Sequence, residues 1–312
     1  MNGMSHSKKV GNVTLTYIGN QQSEAYSEGD VENDLLELFR SPSSEKKRAS
    51  ILANQPSWSL RYHLSPYRGN LVRWYDFARG SSVLEVGAGC GAITEELVKK
   101  DVHVTALELT ERRSLINAHR NKNSENLEII IGNLENYSSA KKFDYVVCVG
   151  VLEYAGSFTS GINPYSDFLK MMRNRLNKNG RLLLAIENRL GLKYWAGARE
   201  DHTSNYFDGI NSYPDKKRVQ TFGRVELEKL ILSAGFESTD FYYPFPDYKL
   251  PRVIYSDDYM PGVHCQFPLQ LLPVAAPDQT RQHLFSEQSA MINIESNRLF
   301  SSLSNSFLVV AS

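Results

Sequence analysis

Between residues 82 and 187, five short apolar runs alternate with segments of helical character. The runs span 82–86, 102–108, 127–132, 143–150 and 180–187, and the helical segments span 91–100, 111–122 and 164–177. Wholly apolar strands joined through helices are typical of a parallel sheet that is covered on both faces. With two later apolar segments, 236–243 and 305–311, the sequence predicts an α/β fold: a doubly wound, mostly parallel, seven-stranded sheet.

Two kinds of flanking sequence surround this pattern. Residues 1–80 indicate a helical N-terminal lead-in that would act as a cap, which predicts a main domain over 81–312. Within that domain, inserts at 189–222 and 244–300 follow the fifth and sixth strands. Connections longer than about 15 residues are usually functional or disordered. We therefore expect these inserts to form a cap over an acceptor.

The composition excludes several function classes. Basic and acidic residues both number 35, so the chain lacks the positive charge expected of a nucleic-acid binder. Without an apolar run of roughly 18 residues, we expect no membrane span and a cytoplasmic protein. Three cysteines, Cys90, Cys148 and Cys265, have no metal-binding or disulfide spacing, which fits a reducing compartment. The sequence shows no convincing metal cluster, and we expect no metal.

The stretch "VLEVGAGCGAIT" (83–94) places a glycine-rich turn directly after the first apolar run. It lacks the Gly-Lys-Ser/Thr of a Walker A loop, but Gly87, Gly89 and Ala92 satisfy the permissive dinucleotide fingerprint, with Glu108 about 20 residues on. The charge of Glu85 distinguishes between the two ligands that remain, S-adenosylmethionine and NAD. Its carboxylate would repel a pyrophosphate and attract an ammonium group. The charge therefore favours S-adenosylmethionine, a cation without phosphate, over NAD.

Glu85, the glycines, Glu108 and "GNLE" after the third run resemble the class I S-adenosylmethionine-dependent methyltransferases, which have a Rossmann-like fold. The resemblance implies that the backbone of 87–91 approaches the methionyl group and that Glu108 holds the ribose hydroxyls. It also implies that Asn133, where the family usually has Asp, hydrogen-bonds the adenine. The cofactor-binding candidates are Glu85, Gly87, Ala88, Gly89, Gly91, Glu108, Leu109, Asn133, Leu134 and Gly150.

The same resemblance identifies "VLEY" after the fourth run as an acceptor-side segment, with Tyr154 where the family often has a catalytic His. Methyl transfer to an alcohol requires removal of a proton, for which a side-chain base is expected. The catalytic candidates are His202, Glu187 and Glu153. The substrate-binding candidates are Tyr154, Asn188, Tyr194, Asp201 and Tyr248.

The flanking segments "SPYRGNLVRWY", "AIENRLGLKYWAGAREDHT" and "FYYPFPDYKLP" are similar to methyltransferases of bacterial polysaccharide and glycosyltransferase gene clusters. This implies a role in polysaccharide biosynthesis. The leading hypothesis is O-methylation of a hydroxyl on a sugar, a glycan or a small polyhydroxylated metabolite. Three alternatives stay open: an N- or C-methyltransferase of a natural product, a non-catalytic S-adenosylmethionine-binding module, and an NAD-dependent oxidoreductase.

Overall fold

The computed structural model describes residues 6–19, 28–214, 219–262 and 281–312. The chain divides into two compact units: residues 1–148 with 175–180, and residues 149–174 with 181–312. These bounds are not those expected from the sequence, where a boundary followed residue 80, and that boundary stays a prediction. Cys265 and part of the second predicted insert lie outside the described residues.

The described residues of the first unit form six strands and six α-helices. The strands are β1 (Ser7–Val10), β2 (Val13–Tyr17), β3 (Ser81–Val86), β4 (Val102–Glu108), β5 (Leu127–Ile131) and β6 (Phe143–Val149). The helices are α1 (Asp30–Arg40), α2 (Ser44–Ala53), α3 (Trp58–Leu64), α4 (Asn70–Arg73), α5 (Thr94–Leu97) and α6 (Glu111–Arg120). Local chemistry fixes some of their ends: the Ser57 hydroxyl, for instance, accepts a hydrogen bond from the Leu60 N–H at the start of α3.

The strands of this unit lie in the order β1-β2-β5-β4-β3-β6. β3 pairs in parallel with both β4 and β6, while β5 pairs in parallel with β4 and β2. β1 is antiparallel to β2 and forms an edge hairpin. Because the chain runs from β3 outward through β4 and β5, and then returns to the other side of β3, a ligand crevice is expected at the carboxyl ends of these strands.

The second unit has helices of its own and an antiparallel set of strands. Its helices are α7 (Ala155–Phe158), α8 (Pro164–Arg173), α9 (Leu192–Trp195), α10 (Arg224–Ser233), α11 (Glu287–Ser296) and α12 (Phe300–Leu303). Its strands are β7 (Leu176–Glu187, which begins in the first unit), β8 (Thr239–Phe245), β9 (Val253–Ser256) and β10 (Ser306–Ala311). The wholly buried β10 pairs with β7 and β8, and β8 pairs with β9.

The predicted fold class is confirmed: the chain is an α/β protein with the doubly wound parallel arrangement. The described residues contain ten strands rather than seven, six in the first unit and four in the second. The additional strands are short or polar, as in "SKKV" of β1, and carry no extended apolar run. The helix expected over 91–100 is reduced to α5, because the glycine turn extends to Gly91. None of the described helices combines the length and apolar character needed to cross a bilayer.

Candidate active site

The glycine turn follows β3 directly and uses backbone conformations that favour glycine. Gly87, Gly89 and Gly91 have φ angles of 74°, 54° and 79°. A Cβ on Gly91 would lie 2.4 Å from Oδ1 of Asn117, so the turn packs closely against α6 at that point. A Cβ on Gly89 would meet no atom within 4 Å. Gly89 therefore borders open space, as a backbone that receives a ligand requires.

Glu108 ends β4 and ties the turn to that strand. Its side chain is buried, and Oε2 accepts a hydrogen bond from the Gly89 N–H at 2.9 Å. Oε1 accepts from the Thr110 N–H at 3.0 Å. A carboxylate has about four acceptor positions, so the same oxygens can also accept from two ribose hydroxyls. The predicted role of Glu108 is compatible with this geometry.

Glu85 is a buried acid at the end of β3. The Thr94 hydroxyl donates to its Oε2 at 2.6 Å, and Asn117 Nδ2 donates to the Thr94 oxygen at 2.9 Å. Burial raises the pKa of Glu85 to about 8, against the lowering effects of the Thr94 hydrogen bond and the Arg68 guanidinium. An added ligand cation would favour the ionised form of this carboxyl.

The other cofactor candidates are divided between the units. Leu109 is half-buried after β4, Leu134 is buried after β5, and the Asn133 side-chain oxygen accepts from the Glu135 N–H at 3.2 Å. Gly150 belongs to the second unit, where a Cβ would lie 2.7 Å from the Tyr248 hydroxyl. The structure thus groups nine of the ten candidates in the first unit, while close packing against Tyr248 accounts for the glycine at 150.

All three catalytic candidates come together in the second unit. Glu153 lies in a short 3-10 helix (Leu152–Tyr154), Glu187 ends β7, and His202 lies in the loop that follows α9. One ligand atom from each lies within 4.8 Å of the other two. Among the described residues, Glu153 Oε2, Glu187 Oε2 and His202 Nε2 are buried without a hydrogen-bond partner. We name Glu153, Glu187 and His202 the acid–histidine cluster; its catalytic role stays a prediction.

Neighbouring groups fix the orientation of each side chain in this cluster. The Tyr154 hydroxyl lies 3.0 Å from the ring atom Nδ1 of His202. The Glu200 carboxylate accepts a hydrogen bond from the backbone N–H of His202 at 2.7 Å. Glu187 Oε1 accepts from Tyr248 at 3.2 Å and lies 2.9 Å from the Lys249 ammonium. The remaining atoms, Glu187 Oε2 and His202 Nε2, are 3.6 Å apart, which exceeds hydrogen-bond distance.

A buried ion-pair network continues from the cluster. The Asp201 carboxylate contacts the Lys193 ammonium at 2.6 Å and the Lys249 ammonium at 3.1 Å. Burial acts to raise the pKa of Asp201, but the two lysines hold it well below its usual range. The Tyr194 hydroxyl also donates to Asp201, and burial beside that carboxylate raises the tyrosine's pKa. Tyr194, Asp201 and Tyr248 therefore support the cluster, and their direct contact with substrate stays a prediction.

The substrate-binding candidate Asn188 has a structural explanation instead. It is fully buried, and its side-chain nitrogen donates to the backbone oxygens of Ser302 and Ser304 at 2.8 and 2.7 Å. Its side-chain oxygen accepts from the Leu190 N–H at 3.0 Å. Because the amide is engaged with backbone on both sides, Asn188 anchors the loop after β7. Direct contact of Asn188 with substrate stays a prediction.

Several supporting residues have no individual signal in the sequence. Thr94 and Asn117 position Glu85, while Lys193, Lys249 and Glu200 position the acid–histidine cluster. Thr94, Asn117 and Lys193 belong to helices of ordinary composition, whereas Glu200 lies two residues before His202 in "EDHT", a segment that the sequence already marks as a source of base candidates. Lys249 falls in the aromatic segment "FYYPFPDYKLP", whose tyrosines and charged residues predict a contact with the acceptor.

Comparisons with known proteins agree with the predicted fold class. Residues 84–182 match the family model of a methyltransferase domain. The mitochondrial ubiquinone biosynthesis O-methyltransferase of Schizosaccharomyces pombe is 27% identical over 117 residues, covering 35% of this chain and 39% of that protein. The ubiquinone biosynthesis O-methyltransferase of Rickettsia akari is 24% identical over 116 residues, covering 37% and 43%. The chain thus spans about two fifths of the length of these curated relatives.

Solved structures give similar but more distant matches. An S-adenosylmethionine-dependent methyltransferase from Archaeoglobus fulgidus is 13% identical, covers 80% of this chain and 93% of its own, and has a TM-score of 0.46. The Haemonchus contortus phosphoethanolamine N-methyltransferase 2, in complex with S-adenosyl-L-methionine, is 12% identical. That match covers 78% of this chain and 51% of the solved one, with a TM-score of 0.45.

The first unit belongs to the class of α/β proteins that have a glycine-rich turn at the carboxyl ends of parallel strands, where such folds bind ligands. The family match identifies a methyltransferase domain over residues 84–182, in agreement with the class I S-adenosylmethionine-dependent methyltransferase expected from the sequence. S-adenosylmethionine is its cofactor. The open space beside Gly89, the Glu108 carboxylate at the turn and the buried acid Glu85 fit that molecule.

Proposed function

We propose that this chain transfers a methyl group from S-adenosylmethionine to a hydroxyl oxygen of a sugar, a glycan or a small polyhydroxylated metabolite. The observation that carries the proposal is the acid–histidine cluster, which holds three buried polar atoms without hydrogen-bond partners among the described residues. Buried polar groups without partners are costly. A hydroxyl group, which both donates and accepts, could satisfy them. The names of the two curated relatives, both O-methyltransferases, support oxygen as the methylated atom.

Residues of the first unit would hold the cofactor, which supplies an electrophilic methyl group on a cationic sulfur when bound. Glu108 would accept hydrogen bonds from the ribose hydroxyls while it keeps the Gly89 amide in place. Glu85 would balance the ammonium charge, and Thr94 with Asn117 would keep its carboxylate oriented. Asn133 would contact the adenine ring.

The acid–histidine cluster would handle the acceptor. Formation of the new C–O bond requires the hydroxyl oxygen to lose its proton, and Glu187 Oε2 and His202 Nε2 are the free atoms able to receive it. Lys249 and Tyr248 hold the other oxygen of Glu187, so its carboxylate cannot turn away from the hydroxyl. Burial excludes competing water from this region. A polysaccharide-related acceptor, implied by the flanking segments, belongs to the same proposal.

Labelled methyl transfer tests the proposal. Purified protein, S-adenosylmethionine with an isotopically labelled methyl group, and a panel of monosaccharides, glycans, phenols and amines would be analysed by mass spectrometry. We expect the label on oxygen of a polyhydroxylated acceptor. His202→Gln should lower kcat by about 10² to 10⁴-fold. The matched control His283→Gln alters a histidine whose side chain is 52% exposed, and it should leave kcat unchanged.

The same assay can contradict the proposal in two ways. Label found on nitrogen or carbon would exclude O-methylation. Full kcat in both His202→Gln and Glu187→Gln, with the exposed Glu237→Gln as the matched carboxylate control, would remove the cluster from the reaction.

A further inference from the structure

We propose that the acid–histidine cluster is a binding site for a divalent cation, with Glu153, Glu187 and His202 as its protein ligands. One ligand atom from each residue lies within 4.8 Å of the others, and the pair of Glu187 Oε2 and His202 Nε2 is separated by 3.6 Å. Two ligands on one tetrahedral cation, each about 2.1 Å from it, lie roughly 3.4 Å apart. The separation of Glu187 Oε2 and His202 Nε2 is therefore close to that of two ligands on one cation, and Glu153 lies near enough to complete the set after a small movement.

Every member of the cluster is almost fully buried. The exposed fraction is 1% for Glu153, 0% for Glu187 and 8% for the His202 side chain. Each nevertheless has a polar atom that finds no hydrogen-bond partner among the described residues: Glu153 Oε2, Glu187 Oε2 and His202 Nε2. Acidic groups that merely happen to lie close together would pair with neighbouring donors. Glu187 Oε2 and His202 Nε2 face each other at 3.6 Å, an ion-pair distance that is too long for a hydrogen bond. Three buried polar atoms without hydrogen bonds in one cluster therefore indicate room for a central ligand.

The supporting contacts have the pattern found around metal ligands. A ligating histidine usually bonds through its second ring nitrogen to an oxygen, which fixes the tautomer. Here the Tyr154 hydroxyl lies 3.0 Å from Nδ1, so Nδ1–H can donate to it and leave the Nε2 lone pair for a cation. Ligating carboxylates are also held by hydrogen bonds. Glu187 Oε1 accepts from Tyr248 and contacts Lys249, which leaves Oε2 for the cation.

The charge of the surroundings also suits a cation. The acidic side chains linked to the cluster by hydrogen bonds, ion pairs or electrostatic interaction are Glu153, Glu187, Glu200 and Asp201, and the basic ones are Lys193 and Lys249. Glu153 and Glu187 both present carboxylate oxygens to the cluster, where they would attract a cation. Lys193 and Lys249 contact Asp201, and Lys249 also contacts Glu187.

The ligand set narrows the choice of cation. One imidazole nitrogen and two carboxylate oxygens suit Zn²⁺ or Mn²⁺, whereas Ca²⁺ takes six to eight oxygen ligands. Three protein ligands leave a coordination position open, as catalytic rather than structural sites do. The role of that position in methyl transfer rests on the proposed function: an acceptor hydroxyl would bind the cation, which would lower the pKa of the hydroxyl so that it releases its proton to solvent. With the cation bound, Glu187 Oε2 and His202 Nε2 would be its ligands, and the cation would replace them as the group that activates the hydroxyl.

Direct binding of Mn²⁺ tests the site without any methyl transfer. Metal-free protein would be titrated with Mn²⁺, and the free ion would be followed by electron paramagnetic resonance. We expect one tightly bound Mn²⁺ per chain, displaced by Zn²⁺. Glu153→Gln and His202→Gln should weaken binding at least 100-fold, and His283→Gln should not change it. The supporting variant Tyr154→Phe should weaken it about 10-fold, as expected on loss of a contact that orients a ligand.

Folding of each variant would be checked by circular dichroism and by its affinity for S-adenosylhomocysteine. Absence of stoichiometric Mn²⁺ and Zn²⁺ binding by the folded protein would overturn the site, as would unchanged affinity in a folded His202→Gln variant. The assay of labelled transfer separates this inference from the proposed function. Transfer without bound metal supports O-methylation and refutes a catalytic role for the cation. Metal binding without transfer to any hydroxyl supports the site and refutes the proposed acceptor.

Discussion

At the scale of single residues, Glu85 couples cofactor binding to pH. Burial raises its pKa to about 8, so the carboxyl is mainly protonated at pH 6.5 in the free protein. If the cofactor's ammonium group requires the ionised form, binding must release a proton. The affinity for S-adenosylhomocysteine should then rise by up to about tenfold per pH unit between pH 6 and 8. Titration calorimetry in buffers of different ionisation enthalpy would measure the released proton.

The matched variant is Glu85→Gln, which resembles the protonated carboxyl in shape. Its binding should show a smaller pH dependence and a heat independent of the buffer. The effect of Glu85 on folding stability has the opposite dependence on pH. The free protein keeps a proton on Glu85 that the unfolded chain loses above about pH 4.5, so this group lowers stability as pH rises towards 8. Proton release of the same size in Glu85→Gln would show that another group is responsible.

The sequence predicted some of these residues better than others. Glu85, the glycines and Glu108 could be identified because strand ends and a glycine turn place them together by local rules. Thr94 and Asn117 could not, since their contacts with Glu85 depend on how α5 and α6 pack. The structural contacts of Asn188 could not be predicted for a related reason. A polar residue at a strand end suggests a ligand contact, but its partners are backbone oxygens more than 100 residues away.

At the scale of elements, a half-buried group of ion pairs joins the N-terminal helices α2 and α3 to α5 and α6, which flank β4. Glu95 of α5 contacts Arg48 of α2 at 3.0 Å and Arg120 of α6 at 2.6 Å. Arg120 also donates to the backbone oxygen of His63, at the end of α3. Three helices therefore meet at one carboxylate, α3 is linked to it through Arg120, and the packing of these helices in the first unit depends on its charge.

This arrangement predicts acid sensitivity. Burial acts to raise the pKa of Glu95, but Arg120 and Arg48 lower it to about 2. A lowered pKa in the folded state adds stability that is fully present above about pH 4.5 and is lost as pH falls towards 2. Glu95→Gln should cost about 3 kcal/mol at pH 7, because it leaves a buried guanidinium without its carboxylate. Urea unfolding at pH 7 and pH 3 would measure both effects.

The exposed control Glu237→Gln should change stability at neither pH. A Glu95→Gln variant as stable as the unaltered protein at pH 7 would contradict the proposed importance of this ion pair.

Elements with a clear apolar pattern, either a run or a helical periodicity, could be predicted from the sequence. Elements without such a pattern could not. β4 and α6 begin at the residues expected, since burial on a sheet and on a helix face leaves a clear periodicity. β1 is polar and depends on pairing with β2, while α11 lies in a region whose sequence suggested only a long insert. Such elements are fixed by tertiary partners rather than by their own composition.

At the scale of the whole chain, the sequence predicted the cofactor but could not assemble the acid–histidine cluster as a cation site. Glu153, Glu187 and His202 were each predicted as a catalytic candidate, but they are spread over 50 positions. No short spacing of metal ligands is present, so the sequence alone indicated no metal. Only the folded second unit, in which β7, a 3-10 turn and a loop converge, brings their side chains within 4.8 Å.

If the first unit alone holds the cofactor, the cofactor's effect on stability can be predicted for variants of each unit. A ligand that binds only the folded chain stabilises it by about 2.7 kcal/mol at a concentration of 100 times its Kd. S-adenosylhomocysteine at that concentration should therefore raise the unfolding midpoint. Glu108→Gln, which alters the carboxylate at the Gly89 amide, should lose most of this increase. His202→Gln should keep the whole increase, since His202 belongs to the second unit and the cofactor candidates other than Gly150 to the first.

Differential scanning calorimetry at several ligand concentrations would measure these shifts. The linkage relation predicts that the unfolding midpoint continues to rise as the ligand concentration increases above Kd. A midpoint that stops rising would show that the shift has another cause. A full shift in Glu108→Gln would place the ribose elsewhere. Loss of the shift in a folded His202→Gln variant would mean that the acid–histidine cluster contributes to cofactor affinity, and the assignment of cofactor and acceptor to separate sets of residues would be wrong.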